Sequence, residues 1–471
     1  MKEVTKMKNP FGRFGMTAAS LYVLAASLAI AAVVSCGDKK KEESKFPRGD
    51  TPQAMEPGEL TSFRLANGIT VYLQEEHSDN EIAVEAIYYT GVMNEGEGKL
   101  HVSRVIPHML IFSPTASFEA KQAVQKVEDF GRINGEVTGL FTHFDYIVPT
   151  GELDLVLQIE SERLTTVKFN EDQLKEYAEK CKNDLDQVLE REQLSLVKYG
   201  LMAFNQAYNY GKKTIPIYAG ADAVTLDDLR RFHREQYRLD NMVLVVIGDF
   251  DTAEATELIK KRFENIKQEP LEPANPVTPI AKDLTAQWDI DANVIFLIFP
   301  GPYENERERL VLTMFGTFLT QQLRNNVNVY EAAKSSYCSN QTYPVDGLPF
   351  FVFVEARGKR NLSDLKSEVL LGMTEAMQAT SEKMFDAMKS NMVHFVESSM
   401  LKAPRNLATV SHYRVIGQEA LNVGMKHYLR EGRSTEEFVE LVRSITYEEA
   451  KQYIESRLTM DNMKTVIIKG E

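Results

Sequence analysis

The chain has 471 residues, of which 43% are hydrophobic and 26% charged. That is ordinary globular composition, with length for two or three domains and a sizeable core, and it excludes a disordered or fibrous class. Its 54 basic and 68 acidic side chains leave a net charge of −14. An acidic body argues against nucleic acid as a partner and leaves a peptide partner open.

The first segment reads as an address rather than a fold. A basic stretch runs to Arg13, and Met16 to Val34 is uncharged and apolar. Val33-Val34-Ser35-Cys36-Gly37 follows, and then the charged run Asp38 to Ser44. Small residues before a cysteine after an apolar run resemble a bacterial lipoprotein signal, cut before Cys36 and lipidated there; the alternative is an uncleaved membrane anchor. Either reading places the body outside the cytoplasm, in the cell envelope, with a lipid anchor on the outer membrane as the expected form. Residues 36–58 read as a flexible tether. The two remaining cysteines, Cys181 and Cys338, are expected as buried free thiols rather than a disulfide, because no spacing pairs them.

The body opens at Phe63 to Leu73, where Asn67-Gly68 between two apolar stretches predicts a hairpin. Ile82 to Tyr89 predicts a strand. Helices are predicted over 102–113, 118–131, 152–166, 171–193 and 225–237, with strands near 144–149 and 242–248. Pro270, Pro273, Pro276 and Pro279 recur at every third residue and predict an extended linker over 268–280. The halves on either side, 59–267 and 281–471, share a unit. Thr225 starts a helix and Asp240-Asn241-Met242 leads into a Val/Ile-rich strand; Thr446 and Asp461-Asn462-Met463 repeat this at the same spacing. Thr suits the N-cap, and the acidic pair after it suits the positive end of the helix. Two such units predict a duplicated domain. Few strands joined by long helices make the class α+β with mainly antiparallel sheets.

The most informative stretch is His101 to Phe112. Val102, Val105, Ile106, Met109 and Leu110 form an apolar helical stripe, with His101, Arg104 and His108 on the neighbouring face. Two histidines four apart on a helix can close on one metal, with a Glu between them as general base. Here Arg104 stands four before His108 and Pro107 stands immediately before it. Zinc needs three protein ligands and an open position, and Arg104 brings a permanent cation instead. His101 lies seven residues from His108, about 10 Å along a straight helix, too far to share one ion. An interior Pro costs a helix about 3 kcal/mol. Pro107 could instead be the first helical residue, which would leave His101 in the preceding loop.

Taken together, Leu65-Ala-Asn-Gly68, Gly91 with Glu95, His108 to Phe112, Thr225 to Phe232 with Tyr237, and Asp240 to Asp249 resemble the pitrilysin/insulinase family of inverted-motif zinc peptidases. The resemblance covers most of 59–471. It implies two duplicated α/β halves facing a central chamber that holds an extended peptide. The family motif His-x-x-Glu-His falls on Arg104, Pro107 and His108, so only one histidine ligand remains. The third ligand of the family, a Glu on a later helix, is best matched by Glu192, and another Glu usual there falls at Leu185. Phe318 to Tyr330 resembles the family's substrate-binding segment, with Arg324 on a substrate carbonyl and Tyr330 beside the reacting oxygen; an Arg ending a helix also suits the dipole without any substrate.

The resemblance therefore implies a non-peptidase homologue: a peptide-binding, chamber-forming subunit that pairs with a zinc-bearing family member, with no cofactor of its own. Two alternatives stay open. One is an atypical zinc metalloendopeptidase using His108 and Glu192 with His101 or His143. The other is a structural envelope lipoprotein.

Overall fold

A computed structural model describes residues 58–77, 80–91, 94–95, 101–137, 141–190, 208–209, 223–269, 280–281, 283–288, 293–300, 303–338, 349–358, 360–397, 412–429 and 433–470. The signal, most of the tether, the Pro-rich linker, Cys36 and Glu192 lie outside them, as do the side chains of residues 182–190.

The first half builds a six-stranded sheet. Thr61–Arg64 (β1) and Thr70–Glu75 (β2) form the expected hairpin, with Gly68 at φ 104 in the turn. Gly68 is needed twice over. Its backbone lies in the region that excludes side chains, and a Cβ there would sit 2.9 Å from the Cα of Asp240. The Asn-Gly turn and the Asp-Asn turn that marks the repeat are thus packed against each other. Glu81–Tyr88 (β3) follows, then helices Val102–Phe112 (α1) and Gln122–Glu128 (α2). Arg132–Val137 (β4) and Thr142–Pro149 (β5) come next, then helices Leu153–Thr165 (α3) and Glu171–Glu190 (α4). Tyr208–Asn209 (β6) is a two-residue strand. Helix Leu226–Gln236 (α5) carries the predicted Thr225 cap as a full capping box with Asp228. Strand Met242–Gly248 (β7) and helix Thr252–Phe263 (α6) end the half. The strand order is β1-β2-β7-β3-β5-β4.

Three expectations change. The helix predicted over 118–131 shrinks to Gln122–Glu128, because Lys121 before it is left-handed at φ 65. Strand β4 and helix α6 were not anticipated; Gly131 and the Asn134-Gly135 pair look like breakers, yet they sit in or beside an edge strand. The sheets are mainly antiparallel, but each of the two large ones contains one parallel pair.

After Ile280–Ala281 (β8), which pairs with β6, the second half repeats the plan. Its elements are strands Leu284–Trp288 (β9) and Val294–Phe299 (β10), helices Glu306–Asn325 (α7) and Val327–Ala332 (α8), and strands Ala333–Cys338 (β11) and Phe350–Ala356 (β12). Helices Leu362–Ala379 (α9), Glu382–Glu397 (α10), His412–Leu429 (α11), Thr435–Ser444 (α12) and Tyr447–Arg457 (α13) follow, and Lys464–Gly470 (β13) closes the chain. The order β11-β12-β10-β13-β9 matches β4-β5-β3-β7-β2 strand for strand. The parallel pairs also match: β2 with β7, and β9 with β13. The duplication read from Thr225/Asp240 and Thr446/Asp461 is therefore a duplication of fold.

Each sheet buries one face under its own helices. In the first half, Val84, Tyr146 and Val246 meet Val105, Met109 and Leu157 in one core. The opposite face is covered by α11 of the second half, which sets Ile416, Ala420 and Val423 against Tyr72, Ala83, Ile147 and Val245. Gly424 allows this close approach, since a Cβ there would fall 2.1 Å from Ile87 Cδ1. Tyr89 donates to the Gly424 carbonyl at 3.1 Å, and Tyr72 shares a hydrogen bond with His427 Nδ1 at 2.8 Å. Cys181 and Cys338 are buried free thiols, as expected.

Candidate functional site

Helix α1 is continuous from Val102 to Phe112 with Pro107 inside it. The reading in which Pro107 starts the helix is therefore wrong. His101 takes the N-cap at φ 71, and its carbonyl accepts from the amides of Arg104 and Val105. The N-terminus of the helix is also held from outside. The Glu95 carboxylate accepts from the Ser103 amide at 3.1 Å and from the Ser103 hydroxyl at 2.5 Å, placing negative charge at the positive end of the helix dipole. Burial raises the pKa of Glu95, with Ser103 and then the Arg104 charge pulling against it. The Arg104 cation is thus coupled to a carboxylate at the start of its own helix.

The apolar face of α1 is buried, while Arg104 and His108 are half-buried. Gly135 on β4 leaves room for Ile111, whose Cδ1 would lie 2.6 Å from a Cβ at that position. The Cys181 thiol on α4 donates to the Arg104 carbonyl at 3.3 Å. Tyr177, also on α4, stacks on His108 with ring centroids 5.7 Å apart and on Phe112 at 5.3 Å. Desolvation, helped by the nearby Lys180 charge, pushes His108 down to about 4, so its ring is neutral at physiological pH.

The residues at the family's zinc position do not fit the metal. His108 is an available imidazole, but Arg104 brings positive charge, Pro107 has no acid–base group, and His101 sits at the other end of the helix. His143, the other candidate ligand, lies on β5 and is bonded to Glu85 at 3.0 Å. Glu192 lies outside the described residues, and with it the set would still hold only two ligands.

Arg324 and Tyr330 are close in sequence and differ in setting. Arg324 ends α7, and its Nε donates to the Ser336 carbonyl at 3.3 Å, so it ties the helix to β11. Tyr330, on α8, is 65% exposed.

A group the sequence reading passed over lies on the α11-covered face of the first sheet. Glu85 on β3 pairs across the ladder with Asp145 on β5, and His143 sits two residues from Asp145 on the same face. His143 Nδ1 is 3.0 Å from Glu85 and its Nε2 is 3.8 Å from Glu136. Arg132 and Asn134 on β4 donate to Asp145 at 2.7 and 2.9 Å. Desolvation raises Glu85 to about 7, against the pull of His143. Burial works against charge on His143, but Glu85 and Glu136 outweigh it and hold its pKa above the usual imidazole value. The sequence signal was available: one Glu inside the apolar strand Ile82–Tyr89, and His143-Phe-Asp145 alternating polar in a buried strand.

Residues 223–392 match the family model described as the peptidase M16 inactive domain. The zinc protease PqqE of Helicobacter pylori is 27% identical over 212 residues, which is 44% of this chain and 47% of that protein. The probable zinc protease PqqL of Escherichia coli is 24% identical over 225 residues, 44% of this chain and 23% of that protein. The matches thus span less than half the length of these curated relatives. Among solved structures, a protease from Helicobacter pylori superposes with a TM-score of 0.65 at 17% identity, covering 88% of this chain and 99% of that one. The peptidase M16 inactive domain from Pseudomonas fluorescens gives 0.63 at 16% identity, covering 88% and 98%. The first half of the periplasmic protease PqqL from Escherichia coli gives 0.60 at 17% identity, covering 89% and 93%. At these identities the structural likeness speaks for the fold, and the family model and the curated relatives make part of the chain similar to insulinase-like M16 proteins.

Proposed function

We propose that this chain is a catalytically inactive insulinase-like homologue that binds extended peptide and completes the chamber of a zinc-bearing relative at the cell envelope. The observation that carries the reading is the Arg104–Pro107–His108 segment. It lies in a continuous helix whose one remaining histidine stacks on Tyr177 and whose cation lowers the pKa of Glu95 against the effect of burial. Among the described residues, that segment offers one imidazole and no second metal ligand beside it.

Peptide binding has a separate basis. Strand β4 is the outer strand of the first sheet and lies against α1, and among the described residues no strand pairs with its other edge. An extended peptide can add to such an edge through main-chain hydrogen bonds. Arg324 and the exposed Tyr330 are the side chains proposed to hold it from the second half. The envelope location rests on the Cys36 signal, and the E. coli relative described as periplasmic is consistent with it. The partner follows from the missing ligands: a chain that keeps the fold without the metal needs another to supply hydrolysis.

The test is a peptide-cleavage assay on the purified chain, alone and with a zinc-bearing family member from the same cell. Alone, it should cleave nothing while binding extended peptide, and Arg324→Ala with Tyr330→Ala should weaken that binding about tenfold. Strong hydrolysis by the chain alone, abolished both by a chelator and by His108→Ala, would reverse the reading in favour of an atypical zinc enzyme.

A further inference from the structure

We propose that Glu85, His143 and Asp145 form a binding site for a divalent transition metal of the zinc class, on the α11-covered face of the first sheet and separate from α1. Three observations carry it.

The first is geometry. The potential ligand atoms of Glu85, His143 and Asp145 all lie within 4.8 Å of one another, and all three residues are buried. Zinc holds imidazole nitrogen and carboxylate oxygen at about 2.0–2.2 Å, so neighbouring ligand atoms stand roughly 3–3.5 Å apart. His143 Nδ1 and Glu85 Oε2, at 3.0 Å, already have that spacing. Asp145 completes the set, its ligand atoms within 4.8 Å of those of the other two. Three protein ligands with a fourth position open make a complete zinc site.

The second is the surrounding shell. A metal-bound imidazole is oriented by a partner on its other nitrogen. Glu136 Oε2 stands 3.8 Å from His143 Nε2, on the far side of the ring from Glu85. Asp145 is held by Arg132 and Asn134, and each carboxylate oxygen keeps a lone pair for a metal. Formal charge agrees. Glu85, Glu136 and Asp145 face Arg132, and a divalent ion with neutral His143 balances them.

The third is the duplicate. Val245 on β7 corresponds to Val466 on β13 through the shared Asp-Asn-Met turn. Their ladder partners are Glu85 in the first half and Phe296 in the second. Phe296 in turn pairs with Phe353, as Glu85 pairs with Asp145, and Phe351 occupies the position of His143. The fold fills these positions with three aromatic rings in one half, Phe296 lying 4.9 Å from Phe353 and 5.7 Å from Phe351. The polar set in the other half is therefore not demanded by the sheet.

The experiment uses the full chain, stripped of metal, titrated with zinc chloride and assayed for retained zinc after gel filtration; cobalt substitution gives a visible spectrum of the same site. One zinc per chain should be retained. Glu85→Gln and His143→Gln should each abolish retention, His108→Ala should leave it unchanged, and Glu136→Gln should weaken it about tenfold. Should His143→Gln fail to fold, Glu85→Gln and Asp145→Asn must each alter the cobalt spectrum. Wild-type chain retaining no zinc, or zinc retained equally in Glu85→Gln, overturns the proposal. Zinc lost only in His108→Ala overturns it as well, and would return the metal to α1, against the inactive reading. Peptide cleavage plays no part in this assay, so the two proposals can fail separately.

Discussion

The two sheets share strand order, parallel pairing and register, yet they treat one face in opposite ways. In the second sheet that face carries Phe296, Phe351 and Phe353. In the first, the same positions are Glu85, His143 and Asp145, linked to β4 through Arg132, Asn134 and Glu136. Replacing buried ionic groups by well-packed apolar ones is often neutral or stabilising by about 1–4 kcal/mol. The second half shows that this fold can take the apolar solution. A polar set kept in the other half therefore points to work other than holding the sheet together.

The sharpest way to break the comparison is to exchange the solutions. Phe353→Asp puts the first half's residue into the second half without its partners, since no Arg132 or Asn134 counterpart has been moved with it. An unpaired buried carboxylate should cost about 5 kcal/mol, enough to unfold the half, as read by urea denaturation. Tolerance of this change would mean that the aromatic face is wetter than its burial indicates. Next in size is His143→Leu, which leaves Glu85 buried without its partner and should cost about 3–5 kcal/mol. The double change Glu85→Leu with His143→Leu removes both members and should recover most of that loss. A double-mutant cycle in which the costs simply add would show that the pair is not coupled.

A smaller effect separates the sheets through their covering helix. Gly424→Ala would drive a Cβ to 2.1 Å from Ile87 Cδ1, and overpacking of this kind costs about 1–3 kcal/mol. Ile87→Ala in the same chain should relieve the clash, because the contact is with the end of a side chain. Relief by Ile87→Ala would establish that α11 docks at this distance in solution.

Much of this was legible in the sequence, and for identifiable reasons. The Asn67-Gly68 hairpin, the Thr225 and Thr446 caps and the Asp-Asn turns are local signals, and each specifies its own geometry. The chemistry of Arg104 and Pro107 was legible too, because a fixed cation and an imino acid cannot serve as zinc ligand or base wherever they sit. Strand β4 was hidden because Gly135 looks like a breaker; its glycine is explained only by Ile111 arriving from another element. The bond between Ser103 and Glu95 joins residues eight apart in sequence, which no periodicity records. The Glu85–His143–Asp145 group was hidden in another way. Glu85 is 58 residues or more from His143 and Asp145, with two helices and a strand between, and only the β3–β5 register brings them together.

The finest comparison is between two histidines of the first half, and it predicts opposite responses to acid. His108 is desolvated against Tyr177 and lowered to about 4 in the folded state, from an ordinary value near 6.5. Between those values the unfolded chain binds the proton that the folded chain refuses. The neutral ring's contribution is therefore fully present above pH 6.5 and is lost as pH falls through about 4. His143 is raised, so its contribution is fully present below pH 6.5 and is lost only as pH rises through its folded value. His108→Phe keeps a flat ring against Tyr177 but cannot be protonated. Between pH 7 and pH 4.5 the variant should lose less stability than the wild type, by about 2 kcal/mol, measured from urea midpoints and slopes. His233 is lowered in the same way but is untouched by this substitution, so it cancels in the comparison. Equal losses in the two chains would mean that water reaches the His108 ring and that α1 is more open than its packing on Tyr177 and Cys181 indicates. The closed helix, and the inactive site argued from it, would then need a different explanation.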